Sequence, residues 1–248
     1  MKLLLIKISL CILVTNMQSY AFENEKKVIE LGQIVNIPHQ KICAGILNII
    51  YNKANIPFHI NVLPGWRSIF ETFKGNLDGE VCRYTKFADD HAQLIKIVPS
   101  IYFISPTIFS TKELNFREIT KDSFKNYRVG IIKGLPGFED YLSKVKTLES
   151  VNSIEQLIQM LLLDRIDLFI TSRINANIVM KKMGNTTKIK YSYSPENFQT
   201  PLYHFLSNKF QSQVSILQKI LSDMEQSGEL KALQRRLELN EINQVKKE

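Results

Sequence analysis

The chain reads as an α/β protein of two lobes, each an open, mostly parallel sheet flanked by helices, joined by two crossing strands. Three observations predict this. Residues 28–81 run strand, helix, strand, helix, strand, the order of a parallel sheet covered by helices. A second strand-and-helix unit follows from about residue 127 to residue 193. Two extended stretches, "SIYFISPTIFSTK" (100–112) and "TPLYHFLSNK" (200–209), separate that unit from what precedes and follows it.

Each element has its reason. "VIELGQIV" (28–35) is β-branched and apolar, a strand. Pro38 suits the first turn of a helix, and "QKICAGILNIIYNKA" puts Ile42, Ile46, Ile49 and Ile50 on one face. "FHINVL" (58–63) alternates as a strand does. "PGWRSIFETFKGN" is a short helix with Trp66, Ile69 and Phe73 on one side, closed by Gly75. "LDGEV" (77–81) is the next strand, and "FADDHAQLIKIVP" a loop with a short helix. Pro106 lies inside the first extended stretch, which argues against a central place in a sheet.

In the second unit, "YRVGIIKGLPGFEDYL" gives a strand, a glycine turn and a helix opening near Pro136. Ser153 caps a helix whose Ile154, Leu157, Ile158, Leu161 and Leu162 keep helical spacing. "DLFI" (167–170) is a strand. "RINANIVMKKMG" is a helix stopped by Gly184, and "KIKYSYS" another strand. After the second crossing, Val214, Leu217, Ile220, Leu221 and Met224 stripe a helix that Gly228 breaks before a short last one. The tail from about Asn240 is polar and expected to fray.

The first residues stand apart. Lys2 and Lys7 flank "LLLI", the apolar run "ISLCILVT" follows, and Ser19-Tyr20-Ala21 then gives a small-x-small site, the pattern of an export signal cleaved near Ala21. The other reading is an uncleaved anchor, but the run falls short of the roughly 20 apolar residues that span a bilayer. Residues 1–21 are therefore read as a signal peptide, and the mature chain as periplasmic. Cys11 lies within the signal, and Leu10 before it is bulky where a lipid-attachment site wants a small residue. Cys43 and Cys82 remain, and an exported chain can oxidise them to a disulfide or keep both as buried thiols.

The formal net charge is +8, or +6 without Lys2 and Lys7. The basic residues are scattered and no basic helix carries interleaved aromatics, which excludes nucleic acid as a partner. The surplus fits an anionic ligand or a basic exported surface. His39, His59, His91 and His204 lack metal-ligand spacing, and there is no G-x-S-x-G or phosphate-binding loop. The sequence thus implies no cofactor, no metal and no enzyme.

Four stretches carry a family resemblance: "GNLDGEVCR", "NYRVGIIKGLPGFEDYL", "SIEQLIQMLLLDRIDLFIT" and "ILSDMEQSGELKAL". In that order, over residues 28–237, the chain resembles the bacterial extracellular solute-binding proteins of family 3, the amino-acid type with a type II periplasmic-binding fold. The resemblance implies a discontinuous first lobe, 22–106 with 202–248, and a second lobe, 107–201. It implies that a small polar solute binds in the cleft between them, that a monomer closes on it, and that a membrane permease or a sensor receives it. An exported interaction protein that has lost its ligand is the alternative, with an enzyme on the same fold behind it.

Ligands of such sheets sit at the carboxyl ends of the strands. Arg83 follows the third strand there, where a guanidinium can fork onto a carboxylate or phosphate; the other reading is an ion pair with Glu80 or Asp89. Lys133-Gly134-Leu135-Pro136-Gly137 brings backbone N–H groups to a helix start, so Gly134 and Pro136 are candidate anion contacts, against an ordinary turn. Tyr102 and Ser105 lie in the first crossing. Trp66 stacks on a ligand or packs at the lobe edge, and Asn36 contacts a ligand or shapes a turn. Members that bind α-amino acids usually carry an arginine several residues further on than Arg83, in a "T.eR" segment; here "YTKFADDHAQ" has Thr85 and then Lys86, with no arginine. They also place an acid after the "DLFI" strand; here stand Thr171, Ser172 and Arg173. A cation there repels a ligand amine, so the expected solute is anionic or neutral, held by Arg83 with Ser172 and Arg173.

Overall fold

The computed structural model describes residues 28–112, 121–133, 142, 145–184, 187–193 and 200–244. The expected signal, Gly134 and Pro136 lie outside them. The described residues form two sheets. The first contains β1 (Ile29–Ile34), β2 (Phe58–Leu63), β3 (Gly79–Tyr84), β4 (Leu94–Lys96), β5 (Tyr102–Ile104) and β11 (Thr200–Ser207). The second contains β6 (Pro106–Ser110), β7 (Arg128–Ile132), β8 (Thr147–Val151), β9 (Leu168–Ser172) and β10 (Lys190–Tyr193). The helices are α1 (Pro38–Ala54), α2 (Gly65–Phe73), α3 (Ile154–Leu162), α4 (Arg173–Met183), α5 (Gln211–Gln226) and α6 (Glu229–Gln244).

The strand order is β2-β1-β3-β11-β4 in the first sheet, with β5 also on β11, and β10-β6-β9-β7-β8 in the second. The helix-linked strands pair in parallel, β2-β1-β3 and β8-β7-β9. The crossing segments add antiparallel strands: β11 on β3, β4 and β5, and β6 on β9 and β10. Each sheet is therefore mixed, parallel where a helix intervenes and antiparallel where the chain crosses. β6 is flanked on both sides, which Pro106 permits because it is the strand's first residue and β10 pairs only Thr107–Ser110.

Local signals explain the helix ends. Pro38 sits in the first turn of α1, and Asn55 ends it in the left-handed region at φ 52°. Ser153 and Ser172 cap α3 and α4, accepting from Gln156 N and Asn175 N. Gly228, at φ 78°, turns α5 into α6. α6 runs to Gln244, longer than its weak apolar pattern predicts, because Leu230, Leu233 and Leu237 join the core. β4 and β8 are short strands the sequence reading omits, each at a sheet edge.

The main core joins α1, β1, β3, α5 and α6 through Ile42, Ile46, Ile50, Val81, Leu217 and Leu221. Cys43 of α1 and Cys82 of β3, both fully buried, form a disulfide. On the opposite side of the first sheet, Ile69 and Phe73 of α2 pack against the Phe87–Leu94–Phe205 cluster as expected, but Trp66 of the same face does not. The buried residues of α2 are Gly65, Ser68 and Thr72, and Trp66 is 59% exposed. The reason is a carboxylate beneath the helix.

Candidate functional site

That carboxylate is Glu80, fully buried on β3. Its Oε1 accepts from Ser68 Oγ at 2.8 Å and Thr72 Oγ1 at 2.7 Å, and its Oε2 from Arg83 Nε at 3.0 Å. Arg83 Nη2 lies 2.9 Å from the same Oε2. A Cβ on Gly32 of β1 would meet Ser68 Oγ and Glu80 Oε1, so glycine there makes the room. A strand alternates its side chains, so residues three apart should face opposite ways. Here Glu80 opposes Phe205 and Arg83 opposes Tyr203 on β11, so three steps on β3 match two on β11. The extra residue is a bulge, and it brings both charges to one face.

Arg83 is thus 3% exposed and takes the ion-pair reading, with Glu80 as its partner. The pair uses one edge of the guanidinium. Nη1 has no hydrogen-bond partner among the described residues, and Nη2 is not aligned for one. A buried, unpaired N–H costs free energy unless something accepts from it. The guanidinium stacks near Phe87, with its centre 5.2 Å from the ring. Its charge also acts on His39, at the start of α1.

His39 belongs to a contact between the two sheets' helices. Its backbone N–H donates to Asn175 Oδ1 at 3.0 Å, and its Nδ1 lies 2.9 Å from Asn175 Nδ2. His39 and Asn175 are 2% and 1% exposed. Burial, helped by the Arg83 charge, pushes the His39 ring down to about 4, so it is neutral at pH 7. Beside it, Ile34 at the end of β1 and Ile37 before α1 share one core cluster with Phe109 and Phe169 of the second sheet and Ala176 of α4. Gln40 ties this corner together, accepting from Ile34 N and donating to Cys82 O.

The other sequence candidates are placed as follows. Ser172 is buried and caps α4 with Asn175 N. Arg173 donates its N–H to Ser105 O at 3.3 Å and lies 5.6 Å over the Tyr191 ring. Ser105 is the exposed residue between β5 and β6. Asn36 is exposed at φ 58°, a turn residue ending β1. Trp66 meets Phe70 with ring centroids 5.4 Å apart. Tyr102 is buried and turns toward the C-terminal helices, donating to Glu238 at 2.5 Å. With Ser105, Glu225, Lys231 and Gln234 it lines a hollow of about 590 Å³ beside the crossing strands. Arg83 and Ser172 thus lie at the carboxyl ends of β3 and β9, Arg173 opens α4, and Tyr102 faces α6 instead.

Sequence reasoning missed His39, Gln40 and Asn175. Polar side chains in the first turns of α1 and α4, each following a strand, were the available signal. Only their burial gives that signal weight.

No family profile and no curated protein sequence matches the chain. Solved structures do. The chain superimposes on the substrate-binding protein of an amino acid ABC transporter with a TM-score of 0.67 at 16% identity, covering 84% of this chain and 97% of that one. A histidine kinase sensor domain with similarity to periplasmic binding proteins gives 0.71 at 11% identity, covering 87% and 97%. An amino acid ABC transporter substrate-binding protein from Streptococcus pneumoniae, bound to L-arginine, gives 0.67 at 14% identity, covering 90% and 99%.

The fold is that of the periplasmic binding proteins. Solute-binding proteins and sensor domains both use this two-lobed periplasmic-binding-protein fold. Among the described residues, no helix is long and apolar enough to cross a membrane.

Proposed function

We propose that the chain is an exported solute-binding protein that takes a small polar solute, neutral or anionic, between its lobes and closes on it. The lobes are residues 22–106 with 202–248 and residues 107–201, and the leader is removed near Ala21 into the periplasm. The observation that carries the reading is the buried Arg83 guanidinium, whose Nη1, at the carboxyl end of β3, has no partner among the described residues. A solute acceptor there would satisfy it. Glu80 already balances the Arg83 charge, so the donor pair is formally neutral and accepts an uncharged amide or carbonyl as readily as an anion. Ser172, Arg173, Asn36 and Trp66 are the contacts we assign to the other sides of the same cleft, with Gly134, through its backbone N–H, and Pro136, as an apolar contact, assigned from the second lobe. Tyr102 and Ser105 act at the crossing.

The solute passes to a membrane permease, and the protein works as a monomer without catalysis. A second reading, a ligand-gated sensor module, is favoured by the likeness to the kinase sensor domain. A thermal-shift screen of polar solutes tests binding itself. One solute class should raise the melting temperature with concentration, by mass action. A broad panel without a hit contradicts the proposal.

A further inference from the structure

The His39–Asn175 contact has a property that its distances impose. Asn175 Oδ1 accepts from the His39 backbone N–H, so its Nδ2 is the group facing His39 Nδ1 at 2.9 Å. Nδ2 can only donate, so Nδ1 must carry a lone pair. Only neutral imidazole with its proton on Nε2 makes both bonds. Protonation at Nδ1 would set N–H against N–H and remove the second one.

We propose that His39 and Asn175 form an acid-released latch between the lobes: a proton from solvent on His39 Nδ1 breaks the contact and opens the cleft. The inference rests on the hinge-closure reading above and adds a means of releasing the solute.

Among the described residues, the one charge that acts on the ring is the Arg83 cation. From β3 the facing charge is Arg83, and Glu80 behind it is committed to Arg83, Ser68 and Thr72. From α4 the charge in the first turn is Arg173, over Tyr191. On α1 itself the neighbour is the exposed Lys41. α5 and α6 meet α1 elsewhere, with α6 supplying the Lys53–Glu229 pair at its far end and Leu237 against Gly45. A protonated His39 would therefore face the Arg83 cation. Ile34 and Ile37 do not titrate, so their apolar contact persists in acid and makes the opening graded. With the ring held at about 4 in the closed form, against 6.5 when free, the closing constant falls by at most about tenfold per pH unit across that interval.

The test is small-angle X-ray scattering of the solute-free mature chain from about pH 7.5 to about pH 4.5, with far-UV circular dichroism to confirm that the chain stays folded. The radius of gyration should grow below about pH 6.5 while the dichroism holds. His39→Asn puts a non-titrating carbonyl oxygen where Nδ1 stands, and its radius should stay constant. Asn175→Asp accepts from both the backbone N–H and a protonated ring, so it should stay closed at a pH where wild type has opened. A wild-type radius constant over the range overturns the latch, as does an H39N variant that opens like wild type. Solute binding is measured separately at neutral pH. A chain that binds a solute yet never opens in acid contradicts the latch alone, and one that opens in acid yet binds no solute supports the latch and contradicts the solute reading.

Discussion

Glu80 and Arg83 sit three positions apart on one strand and still meet on one face of it, Arg83 Nε lying 3.0 Å from Glu80 Oε2. The bulge against β11 makes this possible, and the glycine at position 32 gives the pair its space. A fully buried ion pair has lost its hydration, so its worth lies in mutual satisfaction rather than in net attraction.

Removing one partner should therefore be far worse than removing both. Glu80→Met alone strands a buried guanidinium and should cost about 3–5 kcal/mol. The double variant E80M/R83M replaces the pair with apolar volume and should recover much of that loss. Urea unfolding of the two variants measures the difference. Equal losses in the single and the double would contradict the coupling.

The Cys43–Cys82 disulfide closes a stretch with a sequence separation of 39. A crosslink of that span removes unfolded-state entropy worth about 4 kcal/mol in the chain-entropy account. Reduced protein should unfold at a correspondingly lower urea concentration than oxidised protein. Identical midpoints would show that the bridge does not form in solution.

Acid should weaken the fold through its buried histidines. His204 is held neutral: Nδ1 donates to Glu80 O at 2.7 Å and Nε2 accepts from Tyr51 Oη at 2.8 Å. Burial pushes it down to about 4, as it does His39. Between pH 4 and 6.5 the unfolded chain binds more protons than the native one, so stability present above 6.5 is lost as pH falls toward 4. The loss is of order a few kcal/mol per ring. Urea midpoints at neutral and mildly acid pH check it, and His204→Gln should flatten the dependence by its share.

Asp167 organises one edge of the second lobe. Its carboxylate accepts from Arg128 N at 2.9 Å, Arg128 Nε at 3.1 Å and Lys112 Nζ at 2.9 Å. The Arg128 hydrogen bonds hold it well below the usual carboxylate range. Asp167→Asn should cost about 1.5–3 kcal/mol, the scale of a charge-assisted hydrogen bond, in urea unfolding at neutral pH. The cost should shrink in acid, where the native carboxylate is lost as well.

The fold was largely legible because its signals are local: strand and helix periods, serine caps and glycine stops. The site was legible only in outline. Arg83 was found by its place after β3, but its pairing depends on a bulge that no period-two reading anticipates. The second buried face of α2 was missed for the same reason. Ile69 and Phe73 do pack on a core cluster, but Trp66 is exposed, and the helix also turns Ser68 and Thr72 onto a buried carboxylate. His39 and Asn175 are 136 positions apart, and only tertiary packing brings them together.

Isothermal titration of a solute that stabilises the wild-type chain, repeated on E80M/R83M, tests the central claim most directly. That double variant keeps a neutral, filled core but has no guanidinium to donate. The account predicts saturable binding to wild type and a loss of at least about tenfold in affinity, the scale of a charge-assisted hydrogen bond, in the folded double variant. Unchanged affinity in that variant, or no solute binding by wild type at all, would contradict it.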